Sequence, residues 1–242
     1  RTTNSGTSWT LVKNNIRVYD IEFHPTTPNT MYAATSDAFI KSTDGGVTWT
    51  NMTSGIVTNG QRTAVEVTAN APDNVYCLTT EGQDFEALFK STNKGVSFTN
   101  TNISVSIGAQ AWWDLVFKVS PTNQNTYYMA GVWMNKSVDA GATWEGLYGI
   151  HADDHNLFFY GNDLFLCNDG GLYRSSDNGT NWTFLGNNMQ IMQFYRISSY
   201  AYDSNFLIGG SQDNGTARLK NGAWKHINGG DGMDNVVSSQ SS

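Results

Sequence analysis

Residues 42–49 read Ser-Thr-Asp-Gly-Gly-Val-Thr-Trp, and the pattern behind them, Ser/Thr-x-Asp/Asn-x-Gly-x-x-Trp/Phe, recurs along the chain. The other copies are Thr2-Thr-Asn4-Ser-Gly6-Thr-Ser-Trp9, Ser91-Thr-Asn93-Lys-Gly95-Val-Ser-Phe98, Ser137-Val-Asp139-Ala-Gly141-Ala-Thr-Trp144 and Ser175-Ser-Asp177-Asn-Gly179-Thr-Asn-Trp182. Each reads as a hairpin turn. The Asp or Asn side chain bonds backbone N–H groups, the glycine supplies positive φ, and the aromatic opens the next strand, where it covers the turn. One such hairpin alone is marginal. Copies about 40 residues apart instead mark modules of several short strands packed radially, the spacing of propeller blades.

Working outward from the turn at 42–49, the first complete module has an inner strand at 17–24, then strands at 31–35 and 38–42, and an outer strand from Trp49. Further inner strands are expected near 62–68, 112–119, 155–160, 194–200 and 234–238. The expectation is an all-β propeller of four-stranded antiparallel blades near 17–53, 62–102, 112–148, 153–189 and 194–228. Partial blades at 1–12 and 231–242 then make residues 1–242 one segment of a larger propeller. Trp9, Trp49, Trp144 and Trp182, as the aromatics of the turns, are expected in the core.

Composition narrows the function. With 14 basic against 21 acidic residues and a net charge of −7, the counterion release that drives nucleic-acid binding is missing, so nucleic acid is excluded as a partner. No apolar stretch approaches the roughly 20 residues of a membrane span. Few lysines, many Asn, Thr and Ser, and only two cysteines fit a secreted or cell-surface protein, bacterial in character. Cys77 and Cys167 lie in apolar runs far apart and read as small core residues.

The repeated motif is the Asp-box, or BNR, repeat, and the chain resembles the proteins that carry it: sialidases, the sortilin-type propeller, and secreted bacterial propellers similar to glycoside hydrolase family 74 xyloglucanases. FHPTTPNTMYAATSD (23–37), HADDHNLFF (151–159), NDGGLYRSSDNGTNW (168–182) and GGSQDNGT (209–216) look most like the sortilin and xyloglucanase-like branch. The resemblance implies fold far more than function, because these relatives include enzymes, receptors and assembly factors.

In this topology the loop entering each inner strand and the loop joining second to third strand share one rim, and the repeated turns lie at the other end. Aligned inner strands put Asp20, Asp114, His155 and Asp234 at equivalent positions near a central mouth. The second-to-third strand turns add Asp37, Glu81, Asp84, Asp169 and Asp213. Gathered carboxylates suit acid–base work, a hard cation or hydrogen bonds to sugar hydroxyls, while each turn aspartate also has a local backbone role. In the extended segment 151–155, His151, Asp153 and His155 point to one side. No cofactor is expected; calcium is the ion that the rim carboxylates could hold. Of Trp112 and Trp113, alternation lets one face the mouth, and Trp113 is taken as the ligand-facing ring.

Three functional readings follow. A binding or scaffold domain would present the acidic mouth to a glycan or protein ligand. The xyloglucanase-like reading gives Asp37, in YAATSDAF, the role of one catalytic carboxylate, and the opposed partner would come from further propeller blades of the full-length protein. The sialidase reading uses Arg17, Arg62, Arg196 and Tyr195, but Tyr195-Arg-Ile-Ser lacks the family's proline and follows four of the repeated turns. The binding domain needs the fewest groups that the chain does not supply. Partners outside the ligand would be further blades or C-terminal modules.

Overall fold

The computed structural model describes residues 1–36, 38–52, 54–56, 61–189 and 191–238. Its strands form five four-stranded antiparallel sheets. The first holds β1 (Val18–Phe23), β2 (Met31–Thr35), β3 (Phe39–Ser42) and β4 (Thr50–Asn51), and the second β5 (Thr63–Thr68), β6 (Ala71–Glu81), β7 (Asp84–Ser91) and β8 (Thr99–Asn100). The third holds β9 (Val116–Val119), β10 (Tyr127–Ala130), β11 (Met134–Ser137) and β12 (Glu145–Gly146). In the fourth are β13 (Asp154–Tyr160), β14 (Asp163–Asn168), β15 (Gly171–Ser175) and β16 (Thr183–Phe184); in the fifth, β17 (Phe194–Tyr200), β18 (Asp203–Ser211), β19 (Thr216–Lys220) and β20 (Ala223–Asn228). Strand order within each sheet follows the chain, so every sheet is a meander of hairpins.

The chain divides into two compact units, residues 1–168 with 174–183 and residues 169–173 with 184–242. In the first, inner strand β1 lies against β5, β5 against β9, and β9 against β13. Sheet packing there follows from the two-residue period of β6. Val75 and Cys77 enter a core shared with Tyr32, Phe39, Val65 and Phe89, whereas Tyr76 and Leu78 enter one shared with Leu88, Ile107, Phe117 and Met129. A sheet buried on both faces needs apolar residues at consecutive positions, which explains the run Val-Tyr-Cys-Leu. The Tyr76, Phe117 and Tyr127 rings pack with centroids 5.5–5.8 Å apart, each pair adding about 0.5–1.5 kcal/mol beyond its buried area. Both cysteines are free, Cys77 fully buried.

The repeated turns share one hydrogen-bond pattern. In 42–49 the Ser42 hydroxyl donates to Asp44 Oδ1 (2.8 Å) and accepts the Gly46 N–H (2.9 Å), while Asp44 accepts the Thr48 N–H (2.9 Å) and hydroxyl (2.6 Å). Ser91/Asn93, Ser137/Asp139, Ser175/Asp177 and Thr2/Asn4 repeat it. Gly46 has φ of +80°, a backbone conformation that glycine adopts without the strain a side chain would bring. The Thr143 hydroxyl and N–H hold the Asp139 carboxyl down to about 2, and the Asn181 N–H and side chain do the same for Asp177.

A carboxyl held low stabilises the fold above its ordinary value near 3.8 and ceases to do so as pH falls through its folded value. The melting temperature is therefore expected to drop between pH about 4 and about 2, and the double variant Asp139→Ala, Asp177→Ala to melt lower at neutral pH with a shallower acid slope. An unchanged slope in circular-dichroism melts would assign acid unfolding to other groups.

Three expectations need correction. Trp9 is 73% exposed because no described strand follows its turn, whereas Trp49, Trp144 and Trp182 are half-buried and Phe98 is buried. Residues 1–12, expected as part of a blade, form a turn and irregular chain with no strand. Residues 231–238 form no strand; Gly232 donates its N–H to the Ser211 carbonyl (2.8 Å) and Asn235 accepts the Ser198 hydroxyl (2.5 Å), so the segment is tied by isolated contacts and not by a ladder.

Candidate functional site

Inner strands carry charged residues inside otherwise apolar runs, VYDIEF in β1, TAVEVT in β5 and VFKV in β9. They surround a cavity of about 200 Å³ in the first unit, lined by Tyr19, Asp20, Arg62, Lys118, His155 and Asn156 among others. Two β-bulges place its polar side chains. The β1–β2 ladder skips Tyr19 between Val18 and Asp20, and the β13–β14 ladder skips His155 between Asp154 and Asn156. An extra residue inverts the inward–outward alternation beyond it. His155 accordingly lines the cavity while its neighbour Asp154 is 1% exposed.

Two guanidinium groups pack on the Tyr19 ring, those of Arg17 at 4.9 Å and Arg62 at 5.9 Å from its centroid. Burial lowers the Arg62 pKa, and the charges of Asp114 and Asp20 oppose that effect. Asp20 accepts the Val65 N–H at 3.1 Å. His155 Nδ1 lies 3.1 Å from the carboxylate of the fully buried Asp114, and its ring meets Trp113 edge-on at 6.1 Å. Trp112 and Trp113, 6.0 Å apart, are both more than half exposed. Their backbone explains why: residues 109–113 form a turn in which Trp113 and Asp114 both donate to the Gln110 carbonyl. The expected alternation between them fails because β9 begins only at Val116.

Lys118 bridges Glu22 Oε1 at 2.7 Å and Glu66 Oε2 at 2.5 Å. Burial alone would lower the Lys118 pKa, but two carboxylates around one ammonium raise it above its ordinary range. Glu66 is pushed up by burial against the pull of Lys118, with the Glu22 charge adding to the rise. Burial likewise raises Asp154 to about 7, with the Asn168 amide opposing and the Asp114 and Asp153 charges adding to the shift.

These contacts redraw the expected acidic mouth. The charges of Asp20 and Asp114 act on Arg62, and Asp20, Arg62 and Lys118 all line the cavity, so it carries both signs of charge. Asp20 occupies the rung just past its bulge, opposite Ala34, which matches Asn156 opposite Cys167 and not His155; the expected equivalence breaks at the bulges. Asp153 precedes β13 with φ of +62° and accepts the Gln110 amide at 3.1 Å, so His151, Asp153 and His155 do not form one extended face. Asp234, largely exposed, lies outside any strand, 3.3 Å from Arg196 Nε. Asp169 and Asp213 belong to the second unit, their carboxylate oxygens within 4.8 Å of one another, and Asp213 donates its N–H to Asp231. Within that unit the pair offers two ligand positions, against the roughly six to eight oxygens calcium takes. Asp37 lies outside the described residues. Sequence reasoning missed Tyr19, Asp154 and the Lys118 triad. The signal for the triad was present, as charges inside apolar strands.

Five four-stranded meanders, the inner strands β1, β5, β9 and β13 of the first unit lying in succession against one another, decide the architecture. The fold is an all-β propeller. No protein-family model and no curated protein sequence matches the chain. Among solved structures, the propeller is similar to the glycoside hydrolase family 74 enzyme of Niastella koreensis, with 19% identity and a TM-score of 0.52 over 87% of this chain and 31% of that one. It is similar to the family 74 xyloglucanase of Xanthomonas campestris, with 17% identity and a TM-score of 0.56 over 90% of this chain and 38% of that one. YCF48 from Cyanidioschyzon merolae gives 12% identity and a TM-score of 0.52 over 88% and 70%. A YCF48 chain bound to D1 peptide gives 17% and 0.50 over 90% and 70%. At these identities the likeness shows the fold alone. The propeller spans about a third of the family 74 chains. No helix among the described residues is long and apolar enough to cross a membrane.

Proposed function

We propose that this propeller is a secreted binding module of the Asp-box type whose inner-strand cavity receives one charged side chain of a protein partner. The observation that carries the reading is the pairing of a small cavity of mixed charge with two half-exposed indoles beside it. About 200 Å³ lies below the roughly 300–1,000 Å³ of small-molecule sites but admits one side chain. Trp, Tyr and Arg are the residue types that dominate binding energy at protein interfaces, and Trp112, Trp113, Tyr19, Arg17 and Arg62 gather them here. A YCF48 propeller holding a peptide supports the same use of the fold. The hydrolase reading depends on Asp37 and an opposed carboxylate from elsewhere.

Peptides enriched from a displayed random library on the folded protein test this. Their affinity is expected to fall at least about tenfold in Trp113→Ala and in Arg62→Ala and to stay unchanged in Asp139→Ala, measured by fluorescence anisotropy. Equal affinity in all four proteins would remove the cavity from the assignment.

A further inference from the structure

The outer strands of the sheets differ in length. β4, β8, β12 and β16 have two residues each, whereas β20, in the second unit, has six, Ala223–Asn228, all of them exposed. A short outer strand leaves few unpaired N–H and C=O groups, which is one way β proteins protect a sheet edge. β20 pairs with β19 on one side, and among the described residues no strand pairs with its other side. It therefore offers a row of unpaired backbone groups long enough to hold a further strand.

Side chains along this edge are sorted by face. In the β19–β20 ladder Arg218 stands opposite Lys225 and Lys220 opposite Ala223, so the two-residue period puts Arg218, Lys220 and Lys225 on one face of the sheet. Leu219 stands opposite Trp224 on the other face, and Ala217 opposite His226 lies on that same face. Trp224 is 53% exposed, and its ring stacks on Phe194 with centroids 6.2 Å apart. One face of the edge is cationic and the other aromatic.

The cationic face is unfavourable for the fold by itself. Like charges directly opposite on neighbouring strands repel, and Arg218 and Lys225 are such a pair. No Asp or Glu occurs between Asp213 and Asp231, and among the described residues none of the three cations has a carboxylate partner. This positive cluster sits in a chain whose net charge is −7. An anionic partner relieves the repulsion and is selected by it.

A strand added at β20 lies about 4.8 Å away and keeps the two-residue period, so its alternate side chains fall beside Lys225 and beside Trp224. We infer that the β20 edge binds an extended segment of a partner protein in which acidic and apolar residues alternate. The segment adds as an antiparallel strand, the orientation of every other pair in this sheet. Its acids answer the Arg218–Lys225 face, its apolar residues cover Trp224, and its backbone completes the edge. The edge belongs to the second unit and the inner-strand cavity to the first, so the inference stands whether or not that cavity takes a peptide.

Titration calorimetry of the full chain with the peptide Gly-Ser-Glu-Val-Glu-Val-Glu-Val-Ser-Gly tests it. Binding is expected with Kd below about 100 μM. A peptide with the same residues in blocks, Glu-Glu-Glu-Val-Val-Val between the same ends, and a Lys-Val counterpart should each bind at least about tenfold more weakly. N-methylation of the six central residues removes their backbone donors and should abolish binding. Lys225→Glu should weaken the alternating peptide by about tenfold or more, yet melt no lower than the parent, because it relieves the repulsion from Arg218. Trp113→Ala should leave the peptide's affinity unchanged. No binding of the alternating peptide at about 1 mM, equal binding of the block or N-methylated peptide, full binding in Lys225→Glu, or loss in Trp113→Ala would each overturn the inference.

Discussion

Replacing Lys118 with methionine is expected to destabilise the first unit by about 3–5 kcal/mol, among the largest effects of any single change to this protein. Methionine keeps the stem but removes the ammonium, leaving Glu22 and Glu66 facing one another with no cation between them. Glu66 has only 7% of its side chain exposed and cannot be rescued by water. The unfolded chain solvates both carboxylates freely, so the whole penalty falls on the native state. Without Lys118 the two carboxyls must bind protons at higher pH than in the unfolded chain. The variant's deficit is therefore expected to shrink as pH falls toward their ordinary values near 4.5. Adding Glu66→Leu and Glu22→Gln to Lys118→Met should recover most of the loss, because the triad is then replaced by groups without uncompensated charge. Urea midpoints followed by fluorescence check both statements. A shift below about 1 kcal/mol in the single variant would mean that the triad behaves as a solvated surface pair.

Asp154→Asn is expected to act in the opposite direction. With its pKa raised to about 7 by burial, native Asp154 keeps a proton that the unfolded chain releases near 3.8. Between those values the unfolded state binds fewer protons than the native one, so stability falls as pH rises, by roughly 4 kcal/mol in all, and levels off above the folded value. Asparagine is isosteric and carries no charge to bury. The variant should match the parent near pH 4 and exceed it by that amount near pH 8, with a flatter profile between. Asp154 Oδ2 has no hydrogen-bond partner, so the exchange breaks no contact at that atom. A parent slope that survives in the variant would assign the titration to another group.

Elements of the fold and of the site were legible to different degrees for physical reasons. The turn at 42–49 is closed by bonds among residues at most four apart, so its residue types announce it. Strands flanked by such turns follow, and β2, β5 and β17 fall close to where alternation and turn residues put them. His155 and Asp114 were recognisable as polar groups at inner-strand entries. Their pairing at 3.1 Å, and the part taken by Tyr19 and Arg17, were not. A bulge adds one residue to a ladder without a required residue type. VYD and DHN therefore give no sign that Tyr19 and His155 stand out of register.

By itself, then, the amino-acid order determined the all-β class and the turns that punctuate the chain, because those rest on bonds and alternation within a few residues. Which charge each aspartate meets, which indole stays in water, and where Glu22, Glu66 and Lys118 converge were decided only by tertiary structure. Coulomb energy and burial depend on distances between strands 40 to 100 residues apart, and a single skipped rung reverses which side of the sheet every later side chain occupies.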